Sequence, residues 1–123
     1  MSKTILIVDD SLTARKVISQ IVTEAGYRSV EAEDGRKGLE QLENEVQVDL
    51  IISDINMPWM TGLEMITEIK ADPKYQDLPI CLVTTESSVD YLNDAKKLGV
   101  NAFLVKPIQK EALQEVLNGY LTS

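Results

Sequence analysis

Five polar residues in this sequence directly follow short apolar runs, and their side chains carry groups that can act together. Asp9 and Asp10 follow Ile-Leu-Ile-Val, and Asp54 follows Leu-Ile-Ile-Ser. Thr84 and Lys106 follow two further apolar runs. Each residue alone has a plain structural explanation, as a turn former, a helix cap or the end of a strand. Gathered at one place, they would supply three carboxylates, a hydroxyl and an ammonium.

Three carboxylates close together need a positive partner, because each one raises the pKa of the others. Lys106 offers one positive charge, and a divalent cation offers two. A set of oxygen ligands without nitrogen or sulfur favours Mg²⁺. The backbone carbonyl of Asn56, two residues after Asp54, is a further candidate ligand. The residue types therefore indicate a magnesium site.

A carboxylate beside Mg²⁺ is suited to attack phosphorus, because carboxylates form aspartyl phosphates in proteins. The metal and Lys106 would neutralise charge on the phosphoryl oxygens, and Thr84 would hydrogen-bond one of them. This chemistry needs no histidine, and the sequence has none. Asp54 is the candidate nucleophile, at the end of a strand that Pro58 keeps from continuing.

The apolar runs alternate with segments of helical periodicity, which predicts five β-α units. The predicted strands cover 5–8, 27–32, 50–52, 80–83 and 102–105, and the predicted helices cover 11–25, 39–46, 61–72, 89–98 and 111–121. Strict alternation indicates a parallel sheet with helices on both faces. The carboxyl ends of all strands then meet at one edge, where ligands bind in such sheets. The strand at 27–32 alternates weakly, so we expect it at an edge.

Composition limits the classes of function. The 123 residues fit one domain over 1–123, and 12 basic against 20 acidic residues give a net charge of −8. We therefore expect no unaided binding to nucleic acid or anionic membranes. No apolar stretch approaches the ~20 residues of a membrane span, and no secretory pattern is present at the start, so we predict a cytoplasmic protein without membrane insertion. Cys81, the single cysteine, is predicted to be a buried, inert thiol.

Four motifs in register with the predicted strands resemble the response-regulator receiver domain, and they are Ile5–Asp10 (ILIVDD), Asp54–Pro58 (DINMP), Val83-Thr84 and Lys106-Pro107. The likeness covers the whole chain and is greatest to stand-alone, chemotaxis-type (CheY-like) receivers, because no effector domain follows Ser123 in this sequence. The resemblance implies a doubly wound, flavodoxin-like (βα)5 fold with a five-stranded parallel sheet of order 2-1-3-4-5, which the pattern alone leaves open.

The resemblance also implies roles for individual residues. Asp54 would accept the phosphoryl group, and Lys106 would pair with that group. The peptide between Lys106 and Pro107 would be cis, as it often is in this family. Thr84 and Phe103 would form the switch pair. Magnesium would be held by Asp9, Asp10, Asp54 and the Asn56 carbonyl, and hydrolysis would be tuned by Asn56 and Glu86.

The implied function is a phosphorylation-activated switch in two-component signalling, whose phosphoryl donor is a histidine kinase or a phosphotransfer protein. A downstream protein target would bind the face formed by the helix 89–98, the strand 102–105 and the helix 111–121. Such a protein is no enzyme in the usual sense, because it promotes only its own phosphorylation and dephosphorylation. The target, and whether the pathway is chemotaxis, stay open.

Other classes of protein share parts of this pattern. A magnesium-dependent phosphohydrolase would use an aspartyl phosphate, but it usually needs a second acid where this chain has Asn56. A flavodoxin relative would need a hydroxyl-rich phosphate loop where Asp9 and Asp10 stand. A receiver that serves as a docking module or phosphate sink has the same sequence features.

The chain departs from the usual receiver pattern at three positions. Thr85 replaces a residue that is often smaller and could slow phosphoryl transfer, and Thr61 replaces a frequent Asp but can still cap a helix. Phe103 lacks the hydroxyl of the common Tyr. Trp59, after Pro58, is interpreted as a loop anchor or, alternatively, as a neighbour of the acidic site.

Overall fold

The computed structural model describes residues 3–45, 47–85 and 92–121, and strands and helices alternate through these ranges. The strands β1 to β5 are Thr4–Val8, Arg28–Ala32, Leu50–Asp54, Ile80–Thr84 and Ala102–Val105. The helices α1 to α5 are Leu12–Glu24, Gly35–Asn44, Gly62–Ala71, Leu92–Lys97 and Lys110–Leu121, with a short 3-10 helix at Pro73–Tyr75. This order confirms the alternation predicted from the sequence.

The five strands form one parallel sheet of order β2-β1-β3-β4-β5. The α/β class and the strand order implied by the resemblance are therefore confirmed. Every residue of β1, β3 and β4 is buried, as their uninterrupted apolar sequences predict. β2 lies at an edge and is only partly buried, in agreement with its weak alternation.

Helices cover both faces of the sheet. Adjacent residues of a strand point to opposite faces, so an uninterrupted apolar strand has apolar side chains to bury on both. Along β3, Ile51 belongs to a core cluster with α2, α3 and α4, whereas Ile52 belongs to a cluster with α1 and α5. Cys81 is fully buried in the second cluster, as predicted. Burial raises the pKa of its thiol to about 12, so the thiol is not nucleophilic in the folded protein.

Polar side chains fix where the helices begin. The Ser11 hydroxyl accepts a hydrogen bond at the start of α1. Thr61 caps α3, as predicted, and forms a capping box with Glu64. Asp34 caps α2 through a hydrogen bond from the Lys37 amide, and Gly35 is already helical.

Some predictions concern residues outside the described ranges. Val46 and Val89, which were predicted to mark two helices, lie there, as does Glu86. None of the helices in the described part of the chain has the length and apolar character needed to span a bilayer. The cytoplasmic location stays a prediction.

Candidate functional site

The sheet brings the predicted site residues to one edge. Asp9 follows β1, Asp54 ends β3 and Thr84 ends β4, and the parallel pairing sets these strand ends side by side. One carboxylate oxygen each from Asp9, Asp10 and Asp54 lies within 4.8 Å of the others. The predicted acidic cluster therefore exists in the fold.

Lys106 joins two of these carboxylates. Its Nζ lies 3.0 Å from Asp9 Oδ2 and 3.1 Å from Asp54 Oδ2. Lys106 is positioned at the end of β5 because its amide donates to the Thr84 carbonyl at 2.8 Å. The peptide between Lys106 and Pro107 is cis, as the resemblance implies. The ammonium thus reaches Asp9 and Asp54 from the end of β5, which β4 separates from β3.

Burial and charge act in opposite directions on the site. Burial, and then the negative charge of Asp9, raise the pKa of Asp54 above its ordinary value, although Lys106 and the Ile55 amide oppose the rise. Burial lowers the pKa of Lys106, but its ion pairs with Asp9 and Asp54 together raise it by more, so the net shift is upward. Lys106 therefore stays charged at neutral pH. The ionised form of Asp54 is less stable in this site than it would be in water.

Asp54 is also held by its backbone. The Ile55 amide donates to Asp54 Oδ1 at 2.8 Å, and the Ser53 hydroxyl donates to the Asp54 carbonyl at 2.9 Å. Gly62, the first residue of α3, approaches so closely that an added Cβ would lie 2.3 Å from that carbonyl oxygen. The requirement for glycine at position 62 was missed by the sequence reasoning, because it depends on a contact between α3 and the end of β3.

Every polar group of Asp9 has a neighbour. Its amide donates to the Ala32 carbonyl at 3.1 Å, its Oδ1 accepts from the Ser11 amide at 2.9 Å, and its carbonyl accepts from Arg15 at 2.6 Å. Asp9 Oδ2 is fully buried and receives no well-directed hydrogen bond within the described ranges, despite the nearby Lys106 ammonium. Arg15 was not predicted as a site residue, although its place one turn into α1 could have suggested it.

The donor set fits a hard divalent cation. It consists of oxygen atoms only, it includes the underbonded Asp9 Oδ2, and three of its carboxylates can reach one point. The Asn56 carbonyl, two residues beyond Asp54, accepts no hydrogen bond from the residues described. It is therefore available as the neutral oxygen that the sequence predicted.

The two proposed switch residues lie on adjacent strands. The buried Thr84 hydroxyl donates to the Thr85 carbonyl at 2.9 Å. Phe103, opposite Leu82 on β5, is partly buried and packs against the cluster that contains Leu82. Thr85 is exposed beside this pair, and its effect on phosphoryl transfer stays a prediction.

Trp59 does not anchor its loop against the core, contrary to the first of its two interpretations. Its side chain is 87% exposed. Its φ of 71° is in the left-handed region, which is costly for a residue other than glycine. The alternative, that it lies near the acidic site, is consistent with its place five residues after Asp54.

Comparisons with known proteins agree with this fold. Residues 5–118 match the response regulator receiver domain family, and the chain belongs to that family. It is 41% identical to a chemotaxis protein CheY homolog of Campylobacter jejuni over 118 aligned residues. These residues make up 95% of this chain and 91% of the relative. It is 38% identical to the chemotaxis protein CheY1 of Helicobacter pylori over 92% of both chains.

A solved structure extends the likeness to the backbone. The chain superposes on Vibrio cholerae chemotaxis protein CheY4 with a TM-score of 0.91 and 36% sequence identity, over 98% of this chain and 100% of the other. The described fold is thus that of CheY-like receivers. Members of this family are response regulators.

Proposed function

We propose that the chain is a phosphorylation-activated signalling switch that receives a phosphoryl group on Asp54. The observation that carries the proposal is the contact of one lysine, Lys106, with two buried carboxylates at 3.0 and 3.1 Å. One of these, Asp54, is 8% exposed and lies at the open edge of the sheet. The arrangement offers a nucleophile that can be reached and a fixed positive charge beside it.

In the proposed step, an Asp54 oxygen forms a bond to phosphorus as the bond from phosphorus to the donor breaks. The donor, a phosphohistidine of a kinase or phosphotransfer protein, keeps that electron pair on its imidazole nitrogen. Lys106 neutralises charge on the phosphoryl oxygens. Asp9, Asp10, Asp54 and the Asn56 carbonyl would hold Mg²⁺, which when bound supplies further positive charge to those oxygens.

Thr84 and Phe103 would transmit the change. The Thr84 hydroxyl now bonds the Thr85 carbonyl, and it would exchange this partner for a phosphoryl oxygen. Phe103 would move further into the space that this exchange opens, because it already contacts the core beside β4. A phosphoryl group biases such a pair between two arrangements rather than rebuilding the domain.

The proposed output surface consists of α4, β5 and α5. β5 is an edge strand, and Val105 on β5 and Tyr120 on α5 are 50% and 40% exposed. The Tyr120 hydroxyl donates to the Asn101 carbonyl at 2.7 Å, which ties α5 to the start of β5. A protein target that binds here would respond to a movement of Phe103, which lies on the same strand.

Labelling with radioactive acetyl phosphate, or with a phosphorylated histidine kinase, tests the proposal. We expect wild-type protein to take up one phosphoryl group that hydroxylamine removes, as an acyl phosphate requires. Asp54→Asn should abolish the label. Asp34→Asn is the matched control, because Asp34 is also buried and also follows a strand at this edge, and asparagine caps a helix equally well.

Two results would contradict the assignment. Labelling of Asp54→Asn at the wild-type level would place the phosphoryl group elsewhere. Sustained turnover of a phosphate ester by the wild-type protein would instead favour the phosphohydrolase alternative. A phosphate-sink role would give the same labelling, but no phosphorylation-dependent capture of a target by the output surface.

A further inference from the structure

The peptide between Asp9 and Asp10 determines how the two proposed metal ligands are oriented to each other. A guanidinium holds its carbonyl oxygen, because Arg15 Nη1 donates to the Asp9 carbonyl at 2.6 Å. A peptide unit is planar. The position of the carbonyl oxygen of Asp9 therefore also fixes the direction of the Asp10 amide and the position of the Asp10 Cα, from which its side chain extends.

Asp10 has little else to place it. Its side chain is exposed, and within the described ranges it makes no hydrogen bond or ion pair. Asp9, in contrast, is 1% exposed and is bonded through its amide, its carbonyl and its Oδ1. The order of the exposed ligand thus depends on the buried one, and on the guanidinium that holds the peptide between them.

Arg15 is itself oriented by a second contact. Its Nε lies 3.3 Å from Glu31 Oε1 on β2, and its side chain is only 12% exposed. The other oxygen of Glu31 pairs with Lys16 at 3.0 Å, but the Lys16 side chain is 63% exposed. Glu31 and Arg15 therefore form a chain of contacts from the edge strand to the acidic cluster, and Lys16 lies beside it.

We propose that Arg15, oriented by Glu31, is a positioning residue that sets the Asp9–Asp10 peptide for divalent cation binding. The inference rests on the proposed Mg²⁺ site. Arg15 touches neither the phosphoryl group nor the metal, and it acts through the Asp9 carbonyl. Removing a group that orients a metal ligand through a hydrogen bond, without touching the metal itself, commonly lowers metal affinity.

Charge and positioning predict effects of opposite sign. Arg15 is a cation beside a cation site, so its charge alone disfavours Mg²⁺, and neutralising it should tighten binding. If Arg15 acts by positioning, neutralising it should weaken binding although a repulsive charge is lost. The sign of the change in affinity therefore separates the two roles.

Calorimetric titration of the unphosphorylated proteins with MgCl₂ measures this sign. We expect Arg15→Gln to bind Mg²⁺ about 10-fold more weakly than wild type. Arg15→Lys keeps the charge but replaces the two separate nitrogens that contact Asp9 and Glu31 with a single ammonium, so its Mg²⁺ affinity should lie between those of wild type and Arg15→Gln. Lys16→Gln is the matched control, because it removes a positive charge from the same carboxylate without touching Asp9, and its affinity should be unchanged or tighter.

The outcomes separate failure of the inference from failure of the proposed function. Absence of Mg²⁺ binding by wild type would remove the proposed metal site itself. Wild-type binding together with equal or tighter binding by Arg15→Gln would overturn the positioning role alone. Circular dichroism and thermal unfolding check that each variant folds. Should Arg15→Gln not fold, Glu31→Gln takes its place, and wild-type affinity in that variant would count against the inference.

Discussion

Replacing Lys106 with methionine should destabilise the metal-free protein, because it removes the positive charge between two buried carboxylates. The methionine side chain is similar in length to that of lysine and also has an apolar stem. At an effective dielectric constant of about 20, each of the contacts at 3.0 and 3.1 Å corresponds to about 5 kcal/mol of attraction. The loss of hydration on burial offsets much of this. Removing one partner of a buried ion pair costs about 3–5 kcal/mol in measured cases.

We expect a loss of about 3 kcal/mol in the free energy of unfolding at pH 7.5, the lower end of that range, because one carboxylate can take up a proton. A domain of this size keeps enough stability to stay folded. The pKa of Asp54 is already raised by burial and by Asp9, and it should rise further without Lys106. A carboxyl with a raised pKa in the folded state contributes stability at low pH, which is lost as pH rises through that pKa. The deficit should therefore grow from pH 4 to pH 7.5.

Urea unfolding in EDTA, followed by circular dichroism, measures the deficit. Lys110→Met is the matched control, because Lys110 pairs with Glu24 at 3.5 Å where both side chains are about half exposed, and its removal should change stability by less than about 0.5 kcal/mol. Adding Asp54→Asn to Lys106→Met should restore stability, since one buried carboxylate remains. A Lys106→Met protein as stable as wild type at pH 7.5, or a deficit that shrinks with rising pH, would refute this reasoning.

Two further substitutions test the backbone of the site. Gly62→Ala should lower the free energy of unfolding by about 1–3 kcal/mol and slow labelling of Asp54, because the new methyl group meets a backbone oxygen. Gly119→Ala is the control, because position 119 in α5 has open space around it, and it should raise the free energy of unfolding by about 0.5–1 kcal/mol. Urea unfolding and the labelling assay compare the two variants. Trp59→Gly should stabilise the protein by about 1 kcal/mol in urea unfolding, because glycine adopts the φ of 71° without strain; a clear loss of stability would show that the exposed ring contributes contacts.

Much of the fold could be predicted because the relevant interactions are local or periodic. The apolar runs of β1, β3 and β4 are short, continuous and bounded by turn residues, so their sequences identify buried strands. The similar run of β5 identifies a strand, but that strand lies at an edge and is only partly buried. The cap of α3 by Thr61 was also predictable, because a capping box is a local pattern of two residues three positions apart, here Thr61 and Glu64. Strand order was not predictable from the pattern, since any order of five parallel strands has the same alternation. The resemblance to receiver domains supplied the strand order instead.

The parts of the site that were missed depend on contacts between distant segments. Asp9 and Asp54 are recognisable because they end apolar runs, but the bond from Arg15 to the Asp9 carbonyl requires α1 to lie against the end of β1. The need for glycine at position 62 likewise arises from the approach of α3 to β3. Trp59 was interpreted as a loop anchor, but its side chain is 87% exposed, and no local sequence pattern indicates that exposure.

The burial of Cys81 has a practical consequence for spectroscopy. The chain has one cysteine, it is fully buried, and the pKa of its thiol is raised to about 12. Maleimide dyes and nitroxide spin labels react with exposed thiolates, so the folded native chain should give almost no background signal. A cysteine introduced at Val105 or Tyr120, both half-exposed, would then carry a probe on the proposed output surface without removal of the natural thiol from the core.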